Sequence, residues 1–393
     1  MIFVEGHRPP LQDNPAEWPG IPLLKMGVVV NITCLCGKSK GKAEVAAESL
    51  PVETMLCHCN SCRYSSGVLC VSYLTLTAPP EIADCLQTYQ SSVKMQRMFC
   101  SVCGSHLFAH NSELNEWYLT TGTIETLDPT SGAMMETTKL MQHEFVSDTL
   151  DGGLAPCLAK VQNRNLSCFA QGPDQEPLAF DTADGLPTLS FAMKQLTGKQ
   201  LPISNASGDH LHASCHCGGV QYMISRPNEW SSLVSSPWPD LLVPYHSQSS
   251  HNEEDVKWWL RADGKKYLAG TCACRSCRLG SGFSIQTWAF VPKFNLTSPG
   301  GEPLSFAMGS LKQYGSKPGI YREFCGNCGA TAFWHCNERP DLIDVSVGLL
   351  RAKEGSRADT WLEWWTERVS FKEDAIDVDL TEALENGLSN IRY

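Results

Sequence analysis

Short runs of alternating apolar and polar residues recur along the chain and predict β-strands. These runs cover residues 27–35, 67–76, 117–124, 283–291 and 342–347. They are rich in β-branched and aromatic residues and are bounded by glycine or polar residues, which is typical of half-buried strands. Helical periodicity is rare. The pattern therefore predicts a mainly β protein.

Cysteines interrupt this pattern in a repeated order. Of the 19 cysteines, 14 form two series with identical internal spacing: Cys-x-Cys-Gly, then Cys-x-Cys-x-x-Cys-Arg, then Phe-Cys-x-x-Cys-Gly. Glycines follow the two middle clusters at Gly67 and Gly282, and arginines precede the last pairs at Arg97 and Arg322. Agreement at so many positions indicates a tandem duplication.

The duplication divides the chain into two units. We expect an N-terminal arm over 1–25, unit one over 26–150, a linker or wrapping arm over 151–207, and unit two over 208–393 with an acidic tail. The first and middle clusters start 23 residues apart in unit one and 57 in unit two, so unit two carries an insertion, residues 229–265. A long Trp-rich insertion could cover a cleft beside the middle cluster, pack between units or form a surface loop. Similar apolar faces predict that the units pack as a pseudo-twofold pair.

The composition indicates a cellular compartment and restricts the classes of partner. No apolar run approaches the roughly 20 residues of a spanning helix, and the first residues lack the pattern of a signal peptide, so we expect a cytoplasmic protein. Thiols there stay reduced, and clustered cysteines then bind metal or do chemistry. A net charge of −11 disfavours nucleic acid and membrane surfaces and favours a small-molecule or protein partner.

The seven motif cysteines of each unit exceed the four that close a tetrahedral structural zinc site. The other three would leave a position for water or substrate, as in a catalytic site. Joining the first and last pairs makes the natural closed set, although other partitions fit the count and a structural three-cysteine site would look the same. Up to four zinc ions per chain are therefore expected. The predicted ligands are Cys34, Cys36, Cys100 and Cys103 (the closed cluster of unit one), Cys215, Cys217, Cys325 and Cys328 (the closed cluster of unit two), Cys57, Cys59 and Cys62 (the triplet of unit one), and Cys272, Cys274 and Cys277 (the triplet of unit two).

In these motifs the chain resembles the glutathione-dependent formaldehyde-activating enzyme and centromere protein V family. The resemblance covers both units, but not the first 25 residues, the linker or the tail beyond about residue 371. It implies small β-sheets around zinc, a structural ion in each closed cluster, and a second ion in each triplet near bound glutathione. It also implies a carbon–sulfur lyase reaction that joins or separates glutathione sulfur and an aldehyde carbon.

Catalytic and binding residues follow from this resemblance. The triplet cysteines would be catalytic, with His58 as a proton shuttle or ligand-orienting group, although such a histidine is more often simply hydrogen-bonded. Unit two has Ala273 at that position and would be the weaker site. Arg63 and Arg278 would bind glutathione carboxylates, as could the arginines before the last pairs, or all could pair with local acids.

Two functions are compatible with the sequence. The first is a zinc-dependent, carbon–sulfur lyase-like enzyme that acts on a glutathione adduct or a related electrophilic small molecule, with glutathione as cosubstrate. The alternative is a non-catalytic, zinc-stabilised binding or interaction module, because zinc can serve folding alone. The tryptophans of unit two could wall a pocket for a larger substrate or seal the interface between units.

Overall fold

A computed structural model of the protein describes residues 27–46, 50–82, 85–125, 137–178, 208–239, 242–244 and 251–389. The predicted N-terminal arm and residues 179–207 of the predicted linker lie outside these ranges. Across the described ranges, no helix has the length and apolar character needed to cross a membrane.

Unit one consists of two sheets and one short helix. The smaller sheet has the strand order β1-β2-β5, and the larger contains β10-β3-β4-β9-β8-β7-β6. Strand β10 pairs with β3 in parallel, whereas the remaining neighbours are antiparallel. The elements are β1 Gly27–Thr33, β2 Lys40–Ala46, β3 Val52–Cys57, α1 Asn60–Ser66, β4 Val71–Thr75, β5 Glu81–Ile82, β6 Leu86–Gln90, β7 Met95–Cys100, β8 His106–Asn111, β9 Glu116–Thr120 and β10 Thr138–Glu144.

The described part of the predicted linker packs on both units. It forms a two-stranded hairpin and one further strand that pairs in parallel with β10 and extends the larger sheet. These strands are β11 Lys160–Val161, β12 Arg164–Asn165 and β13 Ser167–Cys168. Residues 167–168 therefore extend the larger sheet of unit one, while residues 155–161 contact the C-terminal helix of unit two, residues 378–389.

Unit two repeats this topology. Its small sheet is β14-β15-β19, and its larger sheet is β16-β17-β18-β23-β22-β21-β20, with β24 parallel to β17 as β10 is to β3. The elements are β14 His210–Ser214, β15 Gln221–Ser225, β16 Leu260–Arg261, β17 Lys266–Cys272, α2 Arg275–Ser281, β18 Gln286–Pro292, β19 Leu296–Thr297, β20 Leu311–Lys317, β21 Ile320–Cys325, β22 Thr331–Cys336, β23 Leu342–Ser346, β24 Leu362–Trp364 and α3 Val378–Ser389. The repeated order confirms the predicted mainly β fold in two tandem copies.

The predicted strand over 67–76 begins too early. Gly67 ends α1 with φ 88°, a left-handed conformation that terminates a helix, and β4 starts only at Val71. The same arrangement follows α2, where Gly282 has φ 78°. A short helix that contains the last triplet cysteine and ends at a glycine therefore precedes the next strand in each unit.

Reciprocal backbone hydrogen bonds join the two units. The N–H of Gly122 donates to the carbonyl of Gly282 at 2.9 Å, and the N–H of Gly348 donates to the carbonyl of Gly67 at 3.1 Å. Each bond links the short 3-10 turn that follows β9 or β23 in one unit to the glycine that ends the short helix of the other unit, at equivalent positions. A shared apolar core also spans both units. These contacts confirm a pseudo-twofold pair.

Gly348→Ala tests how closely the backbones must approach. A Cβ at this position would overlap the carbonyl oxygen of Val68 in the other unit. Because neither backbone can move without opening the interface, we expect the free energy of unfolding to fall by about 1–3 kcal/mol. Gly315→Ala is the matched control, since its Cβ would meet nothing closer than 4.0 Å. Thermal melts measure both, and equal melting temperatures for the two variants would contradict the prediction.

Candidate metal centres and their surroundings

The closed cluster of unit one lies where two turns meet. Cys34 and Cys36 follow β1, Cys100 ends β7, and Cys103 lies in the turn before β8. The Sγ atoms of Cys34 and Cys36 are 3.4 Å apart, and those of Cys36 and Cys100 are 3.6 Å apart. All four sulfurs lie within 4.8 Å of one another. The two sheets of the unit therefore converge on one group of thiols.

The closed cluster of unit two has the same geometry despite the insertion. The Sγ of Cys217 is 3.5 Å from that of Cys215 and 3.5 Å from that of Cys325. Cys328 completes the group, again with all sulfurs within 4.8 Å. The structure thus brings together both sets of four cysteines that the spacing predicts.

These donor sets fit zinc. Tetrahedral thiolate coordination at a Zn–S distance of about 2.3 Å places the sulfurs about 3.8 Å apart, close to the separations here. None of the cysteines in the described residues forms a disulfide. Backbone N–H groups also donate to the sulfurs, from Ser39 to Cys34 at 3.2 Å and from Val220 to Cys215 at 3.3 Å. Such N–H donors favour thiolates, the form that binds metal.

Each triplet spans a strand end and the start of a short helix. Cys57 ends β3, and Cys59 caps α1, where its Sγ accepts a hydrogen bond from the N–H of Cys62 at 3.3 Å. In unit two the Sγ of Cys274 accepts from the N–H of Cys277 at 3.4 Å. In the described ranges, neither triplet contains a fourth His, Cys, Asp or Glu ligand. The triplets are therefore three-thiol sites.

A buried arginine donates to the last sulfur of each triplet. The Nη2 of Arg97 lies 3.3 Å from the Sγ of Cys62, and the Nη2 of Arg322 lies 3.4 Å from the Sγ of Cys277. Both arginines are only 5% exposed. Hydrogen bonds from the other two cysteines, and then the adjacent arginine, hold the pKa of Cys62 and of Cys277 well below the ordinary thiol value. These arginines contact the triplets directly, which sequence reasoning did not foresee.

A second residue missed by the sequence analysis lies at equivalent positions in β4 and β18. In unit one the hydroxyl of Tyr73 accepts a hydrogen bond from Nη1 of Arg97 at 2.6 Å. In unit two the Nε1 of Trp288 instead donates to the Sγ of Cys277 at 3.4 Å. The only sequence signal was their shared offset from the capping glycine. Unit two thus gives its triplet one more N–H donor.

Two tryptophans of the insertion pack in the same apolar cluster as the triplet of unit two. Trp258 and Trp259 are buried in one apolar cluster with Cys272 and Cys277, and all buried members of that cluster in the described residues belong to unit two. The indole N–H groups donate to backbone carbonyls within the insertion, including that of Trp238. These two tryptophans therefore share an apolar cluster with triplet cysteines of their own unit and do not seal the interface between units. Residues 240–241 and 245–250 of the insertion lie outside the described ranges.

His58 is fully buried and pairs with another histidine. Its Nε2 lies 2.9 Å from Nδ1 of His143, whose Nε2 lies 3.0 Å from the carbonyl oxygen of Leu158. Because the carbonyl only accepts, His143 donates through Nε2 and His58 donates to His143, which leaves Nδ1 of His58 as an unprotonated acceptor. Burial, and then the neighbouring His143, lowers the pKa of His58 well below its ordinary value. His58 is neutral here, and its catalytic role stays a prediction.

The two predicted carboxylate-binding arginines have different surroundings. Arg278 pairs with the carboxylate of Glu125 at 3.1 Å, which is the local ion pair that the sequence left as an alternative. Arg63 pairs with no carboxylate in the described part of the chain, and it lines a cavity of about 340 Å³. The equivalent positions therefore differ in their free hydrogen-bonding capacity.

Comparison with known proteins identifies the family. The family model described as glutathione-dependent formaldehyde-activating enzyme matches residues 29–141 and 256–368, which together make up more than half of the chain. The second match begins after Cys215 and Cys217, which the structure nevertheless joins to Cys325 and Cys328. No curated protein matched the chain. The chain belongs to the glutathione-dependent formaldehyde-activating enzyme family, of which it carries two tandem copies.

Proposed function

We propose that this protein is a zinc-dependent, carbon–sulfur lyase-like enzyme that acts on a glutathione adduct or a related electrophilic small molecule. The observation that carries the proposal is the pair of triplets, in which three gathered thiols have no fourth His, Cys, Asp or Glu ligand among the described residues. Structural zinc sites are almost always closed by four protein ligands, whereas a three-ligand site leaves room for a reacting group. The family's description supplies glutathione and aldehyde activation.

We further propose that each of the four cysteine clusters holds one zinc ion. In a triplet, zinc would supply a Lewis-acid position that polarises a carbonyl or favours a thiolate. The protein's own contribution is the charge around that position. Arg97 and Arg322, each buried against a triplet sulfur, offset part of the negative charge of three thiolates.

The proposed reaction is balanced without an oxidant. When glutathione adds to an aldehyde, the sulfur–carbon bond forms, the carbonyl π bond opens, and the thiol proton ends on the new hydroxyl oxygen. The reverse reaction returns the proton to sulfur and releases the aldehyde. Besides these bond changes, only a proton must move. The reaction therefore needs residues that hold thiolates and residues that orient the peptide.

The first prediction concerns metal content. Protein purified without added metal or chelator should contain about four zinc ions per chain, because four separate clusters present thiols at ligand distances. Elemental analysis measures this directly. A total near two would mean that the triplets do not retain metal, and the catalytic proposal would lose its main support.

The second prediction separates closed clusters from triplets. Cys100→Ser and Cys325→Ser should lower the melting temperature more than Cys62→Ser, because loss of a ligand from a closed structural site removes folding free energy. Cys85→Ser is the control, since this half-buried cysteine belongs to no cluster. Thermal melts of the zinc-containing proteins decide the order. Equal, large losses for all three ligand variants would show that the triplet is structural too.

The third prediction concerns activity. The zinc-containing protein should accelerate the exchange between free glutathione, formaldehyde and their adduct, measured by NMR exchange spectroscopy. Changing Arg97 and Arg322 together to Gln should slow that exchange by about 10- to 100-fold, as expected for a residue that holds a metal ligand. Lys94→Gln is the control, because Lys94 is an exposed side chain paired with Glu113.

Two outcomes would contradict the enzymatic proposal. If the protein holds its zinc but leaves the exchange rate at background, the non-catalytic binding module is favoured. If the double variant exchanges as fast as the parent with full zinc content, the triplets are not the catalytic sites. In the second case any activity must come from another part of the chain.

A further inference from the structure

Glu125 and Arg351 occupy equivalent positions in the two units. The N–H of Glu125 donates to the carbonyl of Asn31 at 2.8 Å, and the N–H of Arg351 donates to the carbonyl of His212 at 2.9 Å. Each lies three residues after the interface glycine, Gly122 or Gly348. Unit one therefore presents a carboxylate to the short helix of unit two, whereas unit two presents a guanidinium to the short helix of unit one.

Glu125 neutralises the arginine of unit two. Its Oε1 accepts from Nη2 of Arg278 at 3.1 Å and from Nη2 of Arg275 at 2.7 Å. Arg278 also donates through Nη1 to the carbonyls of Gly122 and Ile124. Only the Nε of Arg278 is left without a hydrogen-bond partner in the described residues, so this guanidinium has little capacity left for a ligand. The site at α2 is closed from within the protein.

Arg63 has no such acid. Its Nη2 donates to Oδ1 of Asn60 at 2.8 Å and to the hydroxyl of Tyr64 at 3.0 Å. Its Nε and Nη1 are buried without a hydrogen-bond partner in the described part of the chain, although the residue is only 2% exposed. Arg351, the counterpart of Glu125, instead stacks on Tyr64, with its guanidinium carbon 3.1 Å from the centroid of that ring. Unpartnered buried N–H groups are costly, and an anion would satisfy them.

The cavity at Arg63 lies between the units. Its lining includes Arg63 and Asp148 from unit one and Leu350 and Ser356 from unit two, and its volume is about 340 Å³. This is within the usual range of small-molecule sites. A cation and an acid on the same wall suit a zwitterionic peptide better than a simple inorganic anion. The cavity also adjoins α1, which carries Cys62 next to Arg63.

Nearby acids are already engaged. The Oδ2 of Asp148 accepts from the N–H of Asn60 at 2.9 Å. The carboxylate of Asp151 accepts from the hydroxyl of Ser356 at 3.0 Å and the N–H of Arg357 at 2.7 Å. Neither acid hydrogen-bonds to Arg63, so they moderate its charge without occupying its free N–H groups.

We infer that this cavity binds a carboxylate of a glutathione-type peptide through Arg63, and that the equivalent place in unit two is filled by Glu125. The chain therefore has one peptide site, built from both units, beside the triplet of unit one. The identity of the peptide rests on the proposed function. The difference between Arg63 and Arg278 does not rest on the proposed function, because it follows from their hydrogen bonds.

The test is a calorimetric titration of the full, zinc-containing protein with S-methylglutathione, whose blocked sulfur removes thiolate coordination from the signal. We expect one site per chain. Arg351→Glu places a carboxylate at the position that corresponds to Glu125, where it can pair with Arg63 as Glu125 pairs with Arg278. This change should weaken binding by about 10- to 100-fold, the value of a charge-assisted hydrogen bond. Lys94→Glu is the matched control, because it makes the same charge change on an exposed surface. Arg63→Gln, which leaves Arg351 intact, should weaken binding similarly.

Several outcomes would overturn the inference. These are no binding by the parent, two equal sites per chain, parental affinity in both Arg63→Gln and Arg351→Glu, or displacement by inorganic phosphate at equal concentration. Zinc content and melting temperature of each variant show whether it is folded. Arg63-dependent binding without catalysed exchange would reject the proposed function and keep this inference. Catalysed exchange together with binding that does not depend on Arg63 would reject this inference and keep the proposed function.

Discussion

Crowding of thiols is the constraint on which the rest of this structure depends. In each closed cluster, four sulfurs from two distant turns lie within 4.8 Å of one another. As thiolates they would repel, so a cation must offset their charge for the turns to stay together. Both sheets of a unit end at these turns, so their relative placement depends on the cluster.

Sequence reasoning could predict what recurs at fixed spacing. The two series of cysteines predicted the duplicated units and the sets of sulfurs that the structure brings together, and the alternating runs predicted the mainly β fold. It could not predict the direction of side chains from distant strands. Arg97 was visible as a repeated position, but its contact with Cys62 depends on how β7 passes α1. The helix itself was missed because seven residues carry too little periodicity to distinguish it from a turn.

Contacts between the two units could be predicted even less from the sequence. Glu125 and Arg351 stand at matching positions in the sequence, but their partners lie on the other unit's helix. His216 makes the same point, since its N–H donates to the carbonyl of Tyr64 at 2.8 Å and its ring contacts the hydroxyl of Tyr89 at 2.6 Å. This histidine lies between two closed-cluster cysteines of unit two. That cluster therefore helps to hold α1 of unit one in place.

The covalent joining of the two units has a consequence for how such a protein can evolve. In a homodimer, every substitution appears twice, so an acid at one interface position would close both symmetry-related sites. Here the two positions are encoded separately, and Glu125 and Arg351 have opposite charges. Joining the two copies in one chain thus removes the constraint that symmetry places on a homodimer. Each half can then change at an interface position without the same change in the other half.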